Sequence, residues 1–357
     1  LLVASCELNG IHVFKKIFIA LLILLLATGI YYHELISYGW MQARGQVGML
    51  MNVQDTDEIL ADPTFPDSLK AKIRLIEEIK QYGVDSLGLT SSQNYTTFYN
   101  QKGKPLIWVI TASDRYRIKA YEWRFPILGA FPYKGFFDST RAASEQKILM
   151  DQGMDADIGE VSAWSTLGYL KDPILSSMLL RKDGSLANLI LHELTHGTLF
   201  VKNNLELNEN LASFVGDLGA IKFLTQKYGA DSPQLKAYDF SKKYNDAYSQ
   251  HILRGIARLD SLYSTFGPDM TPDARKDTLK KNMILRILND SDTLFNGKIA
   301  LRKNKSYTDA ELPNNAFFIS YQTYRSRQNI FRQEFETKFG GDFKKYLNYL
   351  KEKYPSL

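Results

Sequence analysis

Residues 192–196 read His-Glu-Leu-Thr-His, an HExxH. The chain has only five histidines: His12, His33, His192, His196 and His251. With 5 His and 15 Glu in 357 residues, chance yields such a string about 0.003 times. On a helix, histidines four positions apart lie one turn apart on one face. Their imidazoles can then reach one ion, the convergence that zinc with nitrogen ligands requires. Glu193 stands about 100° further round, where it can take a proton from an activated water without binding the metal. Two imidazoles leave a catalytic zinc one protein ligand short. Glu209 is the expected third ligand, with Glu206 as its competitor. The other reading of Glu209 is a helix-N-terminal acid favoured by the macrodipole. One Zn2+ per chain, on His192, His196 and Glu209, is the expectation, with Glu193 as general base. Cobalt or manganese can replace zinc on such ligands.

Those side chains need elements to hold them. Leu186, Ile190, Leu194 and Val201 supply an apolar face for the HExxH helix, with Asp183 or Ser185 as N-cap. Lys202-Asn203-Asn204 makes a turn, and a second helix runs from about Glu209 to Tyr228. Its small residues Ala212, Ser213, Gly216, Gly219 and Ala220 lie on about the side of Glu209 and allow close approach to the first helix. Upstream, Ser37–Asn52 reads as helical. Pro66–Gly83 reads as an amphipathic helix with Leu69, Ile73, Ile76 and Ile79 on one face. Between Tyr95 and Phe137 the runs TTFY, PLIWVIT, RIKAYEWRF and AFPYKGFF read as strands. Arg141–Gln152 reads as a helix ended by Gly153, and Glu160–Leu170 as one more strand. After Asp172-Pro173 the chain is helical. The expected body is a helix-rich α+β fold with one antiparallel or mixed sheet. It spans 37–357, with the zinc site in 186–228, the sheet in about 95–170 and a helical C-terminal part in 232–357.

Composition removes other classes. The net charge is 44 − 39 = +5, spread without a basic block, so no nucleic-acid footprint is expected. The single cysteine, Cys6, rules out a disulfide framework or a cysteine metal site within one chain. Lys15 and Lys16 precede an uncharged run from Ile17 to Tyr32, which Leu35 and Ile36 extend. Tyr31, Tyr32, Tyr38 and Trp40 are placed as interfacial aromatics. Residues 1–36 are read as a leader and membrane anchor, or as a cleaved signal peptide; a buried core helix is the third reading. With the lysines inside, the body lies in the periplasm of a bacterium, anchored to the inner membrane or released after cleavage.

The segment HELTHGTLFVKNNLELNENLASFVG resembles the zinc segment of the bacterial putative aminopeptidase family, a group within the HExxH-plus-Glu metallopeptidases, the gluzincins. YGWMQARGQVGML, WRFPILGAFPYKGFF, VSAWSTLGYLKDPIL and NNAFFISYQTY resemble further motifs of that family in the same order. Many members carry a lipoprotein cysteine after the apolar core, where this chain has Ala27-Thr28-Gly29-Ile30. The resemblance implies a zincin-like fold and a peptide substrate. It makes Tyr321 and Tyr324, with Asn314 and Asn315, candidates for oxyanion and substrate contacts. It makes the strand around Ala163, Trp164 and Ser165 a candidate edge for an extended peptide, an ordinary core strand being the other reading. Glu160, Asp157 and Asp172 lie near that strand as carboxylates for a substrate amine. Asp217 is a candidate for orienting a ligand histidine, and His251 reads as a surface or core histidine. A membrane-anchored zinc endopeptidase of envelope quality control shares every zinc-site residue. A non-catalytic peptide-binding protein with a structural zinc is the alternative from another class. Nothing in the chain indicates an oligomeric state.

Overall fold

The computed structural model describes residues 2–125, 129–160, 170–202, 204–267, 273–291, 294, 312–325 and 328–354, excluding the side chains of 2–14 and 323–329. The chain divides into two units, Leu1–Asn52 and Val53–Leu357.

The first unit is a helix pair, α1 (Leu2–Tyr31) and α2 (His33–Leu50). Ile17, Phe18, Ile19 and Leu21 to Leu26 stand exposed along α1. Among the described residues no single helix is long and apolar enough to cross a membrane. Lys15–Tyr31 and His33–Leu50 pass that test only together, bent by 73°. The expected apolar helix through Ile36 therefore breaks at Tyr32, whose φ and ψ are −97° and 16°. Local bonds favour the break: the Thr28 hydroxyl donates to Leu24 O at 2.7 Å, and His33 Nδ1 pairs with Ile30 O at 2.9 Å. Residues 37–50, read from sequence as the start of the body, lie in α2.

The second unit begins with β1 (Val53–Asp55), α3 (Thr56–Ala61), α4 (Asp67–Tyr82) and β2 (Thr97–Tyr99). Then come β3 (Trp108–Asp114), β4 (Trp123–Phe125), β5 (Gly129–Phe131), β6 (Tyr133–Phe136), α5 (Ser139–Asp151), β7 (Met154–Glu160) and β8 (Ile174–Leu175). The rest is helical: α6 (Asp183–His196), α7 (Leu205–Tyr228), α8 (Pro233–Ser264), α9 (Asp273–Asp290), α10 (Asn315–Arg325), α11 (Gln328–Phe339) and α12 (Phe343–Lys353). The body is thus a helix-rich α+β fold, as composition and patterning suggest. Among the described residues the strands do not form one sheet. They sort into a mixed β1-β2-β8 sheet, an antiparallel β6-β3-β7 sheet and a β4-β5 hairpin. Between β2 and β3 the chain turns at Lys102 and Gly103, which take positive φ, 51° and 73°. Of RIKAYEWRF only the last three residues are strand. The strand expected over 160–170 falls almost wholly outside the described residues.

Helix boundaries follow the sequence signals. Asp138 caps α5 by accepting from the backbone N–H groups of Thr140 and Arg141, and Gly153 follows at φ 79°. On α4, Ile73, Ile76 and Ile79 are fully buried, a 3.6-residue stripe. They share one core with Leu186, Ile190, Leu191 and Leu194 of α6, with α7, and with Tyr346, Leu347 and Leu350 of α12. Each such aliphatic side chain contributes about 2 kcal/mol on burial, so α6 is fastened as a central rod. A second core joins Ile252, Ile256 and Leu259 of α8 to Ile284, Ile287 and Leu288 of α9 and Phe318 of α10.

Candidate metal centre

Helix α6 does not start as its sequence suggests. Lys182 holds the N-cap position without a side-chain cap. Asp183 is the first helical residue, and its carboxylate accepts from Lys72 at 2.5 Å and Tyr228 at 2.8 Å. Ser185 accepts from Arg181 instead of capping. The helix ends at His196, so Val201 packs on the core from the following loop rather than from the helix face. There Asn208 locks the turn, accepting from Val201 N at 2.8 Å and donating to Val201 O at 2.9 Å. The next helix then starts earlier than expected, capped by Asn204, whose side chain accepts from Leu207 N. Glu206 thereby takes the first-turn position that suits the macrodipole, and Glu209 sits deeper in the helix.

Helices α6 and α7 meet where α7 is smallest. A Cβ on Gly216 would stand 2.8 Å from Asn188 O and 3.3 Å from His192 Cβ. One on Gly219 would stand 2.8 Å from a Leu191 methyl. This contact delivers Glu209 to the histidines. His192 Nε2 and His196 Nε2 are 3.2 Å apart. Glu209 Oε2 is 3.4 Å from the first, and Oε1 is 3.6 Å from the second. The side chains of His196 and Glu209 are only 7% and 10% exposed.

Ligands about 2.0–2.1 Å from a tetrahedral zinc stand about 3.4 Å from one another, and that is the spacing here. Electrostatics agree. Burial raises the Glu209 pKa, but hydrogen bonds from His192 and His196 and their charge outweigh it, bringing the carboxyl to about 2. Burial lowers the His196 pKa, and Glu209 reverses this and raises it. Among the described residues the two imidazoles are the only ionic partners of Glu209. Three lone-pair donors therefore converge in a buried place with no lysine or arginine paired to them. The donor set fits a divalent cation of the zinc type.

Glu193, half-buried, neighbours this cluster, and its charge raises the His196 pKa. Two tyrosines that sequence reasoning did not single out also lie within reach of its charge. Tyr133, on edge strand β6, has its pKa raised by burial and then by Glu209 and Glu193. Tyr95, fully buried, is raised by burial, Glu193 and Asp172. Tyr133 belongs to the WRFPILGAFPYKGFF motif, the one sequence signal available for it.

Other expected site residues have different employment. Asn315 is fully buried. Its amide donates to the carbonyls of Asp114 and Arg115, and its oxygen accepts from the Tyr263 hydroxyl. Asn314 donates to Ala156 O and accepts from Ala316 N. Both asparagines fasten α10 to the sheet rather than offering amides to a substrate. Tyr321 packs its ring on Phe317 and Tyr248 beside the second core. Tyr324 lies on α10, its side chain outside the described residues, as are Ala163, Trp164 and Ser165. Asp172 is buried, with Asn94 donating to its carboxylate, and is no free amine holder. Glu160 and Asp157 are exposed on β7. Asp217 accepts from Asn188 and Tyr238 and pairs with Lys242. His251 is a core histidine bonded through Nε2 to Ile287 O at 2.7 Å.

The HExxH helix, the glutamate helix and the spaced motifs around them coincide with a family model described as putative aminopeptidase, which matches residues 37–354. The chain belongs to that family. Its match begins inside α2 and takes in the whole metal cluster. No curated protein and no solved structure matches the chain.

Proposed function

We propose that this chain is a zinc-dependent aminopeptidase with a zincin-like catalytic body. The supporting observation is the convergence of His192, His196 and Glu209, with Glu193 beside them. When bound, zinc supplies Lewis acidity and makes a water acidic enough to ionise near neutral pH. Glu193 accepts the proton of the water that attacks the peptide carbonyl and returns it to the leaving amine. Tyr133, whose phenol is kept protonated by burial and by the charges of Glu209 and Glu193, joins Tyr321 as a candidate donor to the developing oxyanion. The exposed apolar run of α1 behind Lys15 and Lys16 is read as an inner-membrane anchor, with the body in the periplasm. Sequencing the mature N-terminus separates this from release after signal cleavage.

The test is metal stoichiometry with activity on the full chain. Near one zinc per chain is expected, and almost none in His196→Ala. Glu193→Gln keeps the metal and loses about a hundredfold to ten-thousandfold in kcat. Retained turnover in that variant refutes the role of Glu193. Absence of zinc after reconstitution refutes the enzyme and favours a peptide-binding protein. Cleavage of N-acetylated peptides as fast as free ones makes the enzyme an endopeptidase.

A further inference from the structure

Helix α2 leaves one stripe of apolar side chains outside. Ile36, Trp40, Val47 and Met51 are 57%, 71%, 52% and 79% exposed, and exposed Ala43 lies among them. At about 100° per residue all five fall within about 80° of one another. Met51 ends the helix at φ −76° and ψ −10°, still on the helical path. On roughly the opposite side Met49 is 1% exposed. The helix therefore has one packed face and one open apolar face.

The stripe continues a surface that already suits lipid. It starts beside the Tyr32 break, where α1 ends, and residues 17–28 of α1 are exposed without interruption, hence on every side. The two helices meet at a bend of 73°. With α1 along the bilayer normal, that bend lays α2 about 17° from the membrane plane. Over the roughly 22 Å from Ile36 to Met51 its depth then changes by only about 6 Å, less than the depth to which interfacial helices bury an apolar face. Trp40 lies within the stripe, and tryptophan is favoured at headgroup depth. Exposed Arg44 borders it, so its stem can lie on acyl chains while the guanidinium meets phosphates. Glu34, the one acid of α2, stands on the far side. A second copy is the poorer occupant. The positions beside the stripe are Gly39, Arg44 and Gln46, without the opposite charges that pair helices side by side.

We propose that the Ile36–Met51 stripe of α2 lies in the polar–apolar boundary of a phospholipid bilayer, as a second and in-plane membrane contact next to α1. The proposal rests on the anchor reading of α1. It assigns α2 a partner, the headgroup region, that a single spanning helix does not need.

The test uses the full chain with Cys6→Ser in vesicles of phosphatidylcholine and phosphatidylglycerol. A nitroxide is placed in turn on Leu22→Cys, Glu34→Cys, Val47→Cys and Met51→Cys, all at exposed positions. Power saturation against oxygen and an aqueous nickel chelate reads the depth of each. Val47→Cys and Met51→Cys are expected about 5–10 Å into the headgroup–acyl boundary, Leu22→Cys deeper, and Glu34→Cys in water. Val47→Cys and Met51→Cys as accessible to nickel as Glu34→Cys, beside a lipid-buried Leu22→Cys, overturn this proposal alone. So does dipolar broadening at Val47→Cys that disappears on dilution with unlabelled chain, which marks a second copy on the stripe. Leu22→Cys in water overturns the anchor reading and this proposal with it.

Discussion

Glu209 is the residue on which opposing effects can be weighed most directly. Burial disfavours its charge, yet two imidazoles at 3.4 and 3.6 Å hold its pKa at about 2, against 4.5 for a free glutamate. Its folded pKa is depressed, so its contribution to stability is present above about pH 4.5 and is lost as pH falls toward about 2. His196 is shifted the other way, upward from 6.5. Its contribution is full below about pH 6.5 and is lost as pH rises through the raised value. The metal-free cluster therefore stabilises the chain most in mildly acid solution. Metal needs the deprotonated imidazole, so its affinity rises with pH. The thermal midpoint of the chelator-treated chain is expected to fall between about pH 5 and about pH 3, with a smaller fall in Glu209→Gln. Equal falls in the two proteins would show that Glu209 does not carry the effect.

At the scale of elements, the centre is a property of the seam between α6 and α7. The imidazoles come from one helix and the carboxylate from the other, so the seam's spacing sets the ligand spacing. Gly216 governs it, because any side chain there meets the Asn188 carbonyl and His192 Cβ. Backbone cannot yield as a flexible side chain does. Gly216→Val is expected to cost about 1–3 kcal/mol and to weaken zinc retention during dialysis. Gly267→Val, with nothing within 4 Å of the added Cβ, is the control and should leave zinc retention alone. Full zinc retention in Gly216→Val would show that the seam is more compliant than its contacts indicate. Asn208 and Asn204 serve the same seam by setting the turn and the start of α7.

For the whole molecule, both hydrophobic cores and every ligand of the centre lie in Val53–Leu357. A chain beginning at Val53 is therefore expected to unfold cooperatively, to hold one zinc, and to match the full chain in thermal midpoint within a few degrees. Calorimetry and metal analysis of the two proteins make the comparison. A shortened chain without a cooperative transition would mean that the body depends on the helix pair. That pair is built differently, with its large apolar side chains exposed along α1, and a lipid surface is the partner such a helix suits.

The grouping of His192, His196 and Glu209 is legible in the sequence because it rests on helical period and on small residues spaced along one helix. Both are local, and so is the amphipathic stripe of α4. The helix-rich α+β class follows from the same patterning. Strand partners are not local. Short strands interrupted by glycine and proline carry no signal for which edge they join, and only the packed chain sorts them into three sheets. Asn314 and Asn315 look like site residues in a motif, yet their amides are consumed by carbonyls and a hydroxyl about 50 to 200 positions away along the chain. Tyr95 carries no mark among 21 tyrosines, and Tyr133 only its place in the WRFPILGAFPYKGFF motif. What singles them out is burial, with the charge of Glu193 adding to the rise of each phenol's pKa. Sequence determines what repeats along one helix; tertiary structure decides what distant segments leave facing one another.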